Sequence, residues 1–149
     1  MKSLNYKDNF DVILLLFSAF GYFSDEENLL LLKNISKALK NKGMFCFDIF
    51  NRDSFLKDFK EFNVLEKENN LMIDRCSFDP MTGVYSNKRI VIRNGIRKDK
   101  PFFIRLYNFN EIKFLLEKAN LSIYRVFGNW DSGKFNSESK RMIVIAQKN

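Results

Sequence analysis

The chain has 149 residues, enough for one compact domain, and its composition of 46% hydrophobic and 29% charged residues is that of a folded globular chain. It contains no histidine, which excludes a His-based triad, a His general base and His zinc ligation; its two cysteines, Cys46 and Cys76, lie too far apart for a CxxC metal site and do not make a disulfide framework. The net charge of +7 is spread along the chain with no run of more than two basic residues, so nucleic acid is not an expected partner. Free thiols point to a reducing compartment, expected to be the cytoplasm. No apolar run approaches the roughly 20 residues of a membrane span. Met1–Asp8 lacks the apolar stretch of a signal peptide.

Phe10–Phe17 is a nearly continuous apolar run and reads as a strand buried on both faces, as in a parallel sheet. Asp25-Glu26-Glu27 then opens a helix that Ser24 or Asp25 can cap, with Leu29, Leu32, Ile35, Ser36 and Leu39 at helical spacing. Asn41-Lys42-Gly43 stops it, with Gly43 free to take the left-handed conformation. Met44–Phe50 is a second buried strand. Strand, helix and strand with short connections predict a right-handed βαβ crossover.

Beyond Asn51-Arg52-Asp53 the pattern changes. Ser54–Phe62 reads as a short amphipathic helix. Leu71–Phe78, Val84–Arg93 and Lys98–Tyr107 read as extended stretches of an antiparallel meander, separated by Asp79–Gly83 and by the hairpin signal Asn94-Gly95. Asn108 or Asn110 caps a helix from about Glu111 to Lys118, which Asn120 ends. Leu121–Trp130 and Arg141–Gln147 close the chain as an antiparallel pair, joined by the loop Asp131–Lys140. One domain over residues 1–149 is expected, with an insertion over about 63–107.

Several segments resemble class I S-adenosylmethionine (SAM) dependent methyltransferases. Phe10-Asp11-Val12-Ile13, Phe17–Phe23 and Asp25-Glu26-Glu27 are similar to that family's fourth strand and the loop after it. Leu39–Phe45 looks like its "LKPGG" turn, here without the proline and with one glycine. Asp48–Asp53 is similar to the end of the fifth strand. Arg105-Leu106-Tyr107, Glu111, Leu115-Leu116, Gly128 and Ser139–Ala146 continue the likeness. The resemblance implies an α/β fold: a partial Rossmann-like SAM-methyltransferase sheet with an antiparallel strand insertion. It is expected to cover the family's C-terminal part only, because the six glycines are all isolated and the Gly-rich loop of the SAM-binding half is absent.

The activity implied is methyl transfer from SAM to a small-molecule acceptor, this chain supplying the acceptor side. Such displacement at a sulfonium methyl needs placement and exclusion of water more than an acid–base pair, so the absence of histidine is compatible with it. No Asn/Asp-Pro-Pro-aromatic segment follows Phe17, which points away from amide or nucleobase nitrogen. Ligands bind beyond the carboxyl ends of strands in open α/β sheets. Leu16, Phe17, Ser18, Phe20 and Tyr22 are therefore the expected cofactor-binding residues. Tyr22, Asp48 and Tyr107 are candidate catalytic residues. Asn51, Arg52, Arg105 and Arg141 are candidate acceptor-binding residues, with Asn129 and Trp130 at the rim. Each has an alternative: packing for the aromatics, backbone capping for Asp48, and ion pairing for the arginines. No metal is expected.

Two other readings stand beside this one: a non-catalytic α/β partner subunit or degenerate methyltransferase, and a basic nucleic-acid module built on the meander. For want of the Gly-rich loop, the isolated chain is expected to bind SAM weakly and to be inactive alone. The expected partners are an N-terminal SAM-binding half, or a second copy paired through the apolar Phe10–Phe17 edge.

Overall fold

A computed structural model describes residues 6–149. In chain order the elements are β1 (Phe10–Leu15), α1 (Asp25–Ala38), β2 (Leu39–Phe50), α2 (Arg52–Lys57), β3 (Phe62–Lys67), β4 (Asn70–Asp79), β5 (Val84–Arg93), β6 (Ile96–Arg105), α3 (Phe109–Lys118), β7 (Leu121–Phe127) and β8 (Arg141–Lys148). They form two compact units, one of Met1–Lys57 with Leu106–Asn149 and one of Asp58–Arg105.

The first unit holds a four-stranded sheet in the order β1-β2-β8-β7. β1 and β2 are parallel, as the strand–helix–strand order requires, and the other two pairings are antiparallel. Helix α1 starts where its sequence satisfies the free amides of the first turn. The Ser24 hydroxyl accepts from the Glu27 amide at 3.2 Å, and the Glu27 carboxylate accepts from the Ser24 amide at 3.3 Å. Asn108 and Glu111 repeat this capping box on α3. The helices bury Leu31, Leu32, Ile35, Ile112 and Leu116 against Phe45, Phe47, Leu121 and Val144 of the sheet. Each such side chain contributes about 1.5–3 kcal/mol relative to exposure.

Two details of this unit differ from expectation. Among the described residues β1 is an edge strand and is not buried on both faces: Val12 and Leu14 are 55% and 59% exposed, while Ile13 and Leu15 pack on the core. The chain turns left-handed after α1 at Lys42 (φ 59°), not at Gly43. Gly43 is needed for space instead, since a Cβ there would lie 2.9 Å from the Lys40 carbonyl and 3.2 Å from the Leu39 side chain.

The second unit is a sheet in the order β3-β4-β5-β6 with every pairing antiparallel. The expected partial sheet with an inserted meander is corrected here: the meander is itself a complete four-stranded sheet and a compact unit. The strand missing from the sequence reading is β3. All six of its residues are exposed, so it carries no buried face and no alternation to read. The expected helix over Ser54–Phe62 is shorter, ends at Lys57 and leaves Phe62 to β3. Asn94 and Gly95, at φ 50° and 74°, make the two-residue turn between β5 and β6.

Candidate functional site

The carboxyl ends of the parallel strands β1 and β2 lie side by side in the first unit, and the loop after β1 forms the site. Phe17 and Ser18 are both left-handed, at φ 63° and 55°. Two successive non-glycine residues in that region persist only where their surroundings hold them. Asp48, wholly buried on β2, provides the hold: its Oδ2 accepts from the Ser18 amide at 3.2 Å and lies 3.5 Å from the Ser18 hydroxyl. The Arg141 guanidinium, at the start of β8, donates to the Ser18 hydroxyl at 2.6 Å and also to Asp48 Oδ2. Arg141 lies over the Phe50 ring at 5.5 Å. Asp48 Oδ1 is buried with no hydrogen-bond partner among the described residues. The anchored turn leaves Phe17 89% exposed and Tyr22 42% exposed at the strand ends.

Arg141 also borders a cleft of about 570 Å³ lined by Gly128, Trp130, Asp131, Lys134 and Ser139. Asn51, buried just after β2, fastens this loop by donating to the Asn136 and Ser139 carbonyls at 3.1 and 2.8 Å. Gly128 lets the loop close, because a Cβ there would meet the Ser139 hydroxyl at 2.1 Å. Trp130 stands 55% exposed at its rim.

The far end of the β1 loop is fixed by a second polar cluster. The Tyr107 hydroxyl donates to Asp25 Oδ1 at 2.6 Å and accepts from Asn28 Nδ2 at 3.0 Å. Asn28 Nδ2 also donates to the Phe23 carbonyl at 2.8 Å. Phe20 packs with its ring 5.5 Å from both Phe47 and Tyr107, inside the core.

Ser18, Asp48 and Arg141, expected in three separate roles, therefore form one node. Leu16, Phe17 and Tyr22 lie on the loop above it. Phe20 and Tyr107 are core residues that position this loop, and Asn51 positions the loop of the cleft. Arg52 pairs with Glu111 at 3.0 Å, the same carboxylate that caps α3. Arg105 ends β6 in the second unit, opposite Val84. Asn28 was not among the expected residues. Its signal was a polar side chain one turn before Leu32 on the inward stripe of α1. Burial, and then the Asp48 carboxylate, push the Cys46 thiol up, which disfavours its thiolate form. Among the described residues no cluster of potential metal ligands occurs, and no helix is long and apolar enough to cross a membrane.

No protein-family model and no curated protein matches the sequence. Solved structures do match the fold. The CcbJ methyltransferase from Streptomyces caelestis superposes with a TM-score of 0.87 at 16% identity, over 99% of this chain and 61% of its own. A SAM-dependent methyltransferase from Clostridium acetobutylicum gives 0.88 at 19%, over 99% and 62%. CalS10, an amino pentose methyltransferase from Micromonospora echinaspora, gives 0.68 at 12%, over 99% and 62%. The chain has the fold of SAM-dependent methyltransferases and spans about three fifths of the length of these three.

This match corrects the expectation that the likeness is confined to a C-terminal, acceptor-side piece with a partial sheet. The superposition takes in 99–100% of the chain in the solved structures named as methyltransferases, both units and both sheets included. It also corrects one of the two expected partners, the separate N-terminal SAM-binding half. Nearly the whole chain superposes on single methyltransferase chains, which gives a separate N-terminal SAM-binding half no support.

Proposed function

We propose that the chain acts in methyl transfer from SAM to a small polar acceptor, with the node of Ser18, Asp48 and Arg141 at its centre. The observation that carries this reading is the double position of Arg141, which holds the β1 loop through Ser18 and Asp48 and also borders the 570 Å³ cleft. A cleft of that size suits a small molecule. The amino pentose methyltransferase with this fold is named for such a substrate.

The residues present fit the cationic end of the cofactor. Phe17 and Tyr22 are exposed aromatic rings at the strand ends, and a ring face near a sulfonium gains about 0.5–2 kcal/mol. Asp48 keeps a buried carboxylate oxygen without a donor among the described residues. When bound, SAM supplies an electrophilic methyl group on a positively charged sulfur. The chain's own part is positional. Ser18 and Asp48 fix the backbone that presents Phe17 and Tyr22. Arg141 closes one side of the acceptor cleft, and Asp48, buried beneath the loop, acts by holding Ser18 and Arg141 in place. With six isolated glycines, no residues here are assigned to the nucleoside end.

Calorimetry with SAM and its demethylated thioether tests this reading. Contacts limited to the sulfonium end give weak SAM binding, with a dissociation constant on the order of 1 mM. SAM is expected to bind about 2- to 30-fold more tightly than the uncharged thioether, the range that cation–π attraction spans. Tyr22→Leu and Phe17→Leu should erase that preference. No saturable SAM binding at about 10 mM, roughly tenfold above the expected constant, refutes the proposal.

A further inference from the structure

A second cleft, remote in role from the proposed transfer site, lies wholly within the second unit. It measures about 450 Å³ and is lined by Met72, Val91 and Ile96 together with Arg89, Arg93, Lys98 and Lys100. Strand alternation puts Arg89, Val91 and Arg93 of β5 and Ile96, Lys98 and Lys100 of β6 on one face of the sheet. The antiparallel register sets Arg89 directly opposite Lys100 and Val91 opposite Lys98. Like charges directly across a strand pair are destabilising unless something neutralises them. Asp74 does so for Arg89, accepting from its Nε at 2.7 Å and from its Nη2 at 2.9 Å. Among the described residues no carboxylate lines the cleft beside Arg93, Lys98 and Lys100. The acid available on β6 is used elsewhere, since Asp99 pairs with Arg97 on the opposite face.

We propose that this cleft binds a small amphiphilic anion, a phosphate or carboxylate head on a short aliphatic tail. The head meets Lys98, Lys100 and Arg93, and the tail lies on Val91, Met72 and Ile96. Each feature of the lining narrows the occupant. The cations call for an anion, and an apolar floor with Ile96 63% exposed calls for hydrocarbon. Among the described residues no aromatic ring lines the cleft, so it lacks the stacking platform of single-stranded nucleic-acid sites. A second copy of the chain would bring the same cations face to face.

Hexyl phosphate, inorganic phosphate and hexanol are the probes, titrated into the intact chain by calorimetry, with amide chemical shifts to locate the site. Hexyl phosphate is expected to bind at least about tenfold more tightly than inorganic phosphate, a preference that two buried methylenes provide. Hexanol should not bind, and the shifts should centre on Val91, Ile96, Lys98 and Lys100. Lys98→Ala with Lys100→Ala should weaken hexyl phosphate about tenfold or more, as loss of charge-assisted contacts implies. Ile96→Ser should reduce its affinity to that of inorganic phosphate. Arg97→Ala, on the other face, should leave both unchanged. Equal binding of hexyl and inorganic phosphate, shifts elsewhere in the wild-type chain, or binding to anionic vesicles without binding of hexyl phosphate would each overturn the proposal.

Discussion

The node under the β1 loop gives the sharpest perturbation. In Arg141→Met the side chain keeps its length and loses its donors. Asp48 is then left, fully buried, with the Ser18 amide at 3.2 Å and a marginal approach to the Ser18 hydroxyl at 3.5 Å. Breaking a buried ion pair by removing one partner costs about 3–5 kcal/mol. Arg141 is 33% exposed, so water already solvates part of its end of the pair, and the expected loss falls to about 2–3 kcal/mol. Asp48→Leu removes the costly buried charge together with its partnership, and strands an arginine that can turn toward water. About 1–2 kcal/mol is expected for it, the range for a lost hydrogen bond.

The double variant leaves neither charge stranded, so its loss should fall short of the sum of the single losses by at least about 1.5 kcal/mol. Urea unfolding followed by Trp130 fluorescence reads this directly, because the single tryptophan belongs to the first unit. The same variants should weaken SAM binding, since Phe17 and Ser18 lose the contacts that keep them left-handed. An Arg141→Met chain within about 0.5 kcal/mol of wild type, or losses that add within about 0.5 kcal/mol, would show that the node holds nothing.

Gly128→Ala places a Cβ 2.1 Å from the Ser139 hydroxyl, 2.8 Å from its Cβ and 3.0 Å from the Lys134 carbonyl. Overpacking of this kind should cost about 1–3 kcal/mol in urea unfolding, and Ser139→Gly in the same chain should recover part of it. Asn108→Ala removes the oxygen that accepts from the Glu111 amide at 2.9 Å and should cost about 0.5–2 kcal/mol, with faster hydrogen exchange in the first turn of α3 as the check. Hydrogen bonds from Arg89 hold the Asp74 carboxyl below its ordinary value of 3.8, against an opposing effect of burial. The unfolded chain therefore binds this proton at higher pH than the folded one. The stabilisation is complete above about pH 4 and drains away as pH falls through the lowered folded value. Amide exchange in β5 should accelerate across that window in the wild type and much less in Asp74→Asn.

The parts of the fold that the sequence discloses are those whose physics is local. Ser24 with Glu27 three residues on, and Asn108 with Glu111, mark the two capped helices. Asn94-Gly95 marks the hairpin, because a two-residue turn with both φ angles positive suits few other pairs. The parts it conceals depend on surroundings. An unbroken apolar run such as Phe10–Phe17 reads as doubly buried, yet its burial is decided by its neighbours, and among the described residues β1 has a neighbour strand on one side only. β3 is the opposite case, a strand made by pairing alone, with no hydrophobic face to announce it.

The site divides along the same line. Ser18, Asp48 and Arg141 are each conspicuous in the sequence, the first two at strand ends and the third as a charge opening an apolar strand. What joins them is the antiparallel register of β2 and β8, which sets Phe50 opposite Arg141 and Asp48 opposite Ile143. A slip of one residue would flip the side chains of β8 to the other face and part Arg141 from Asp48. That register is itself pinned just outside the strands. Asn51 takes the carbonyls of Asn136 and Ser139 from a loop 85 and 88 residues away, directly before β8 begins. Asn51, an expected acceptor-binding residue by its likeness to the family's acceptor side, has a structural use at this position. By fastening the loop that enters β8, it fixes where Arg141 falls, so a residue that touches neither Ser18 nor Asp48 helps decide whether they meet their arginine.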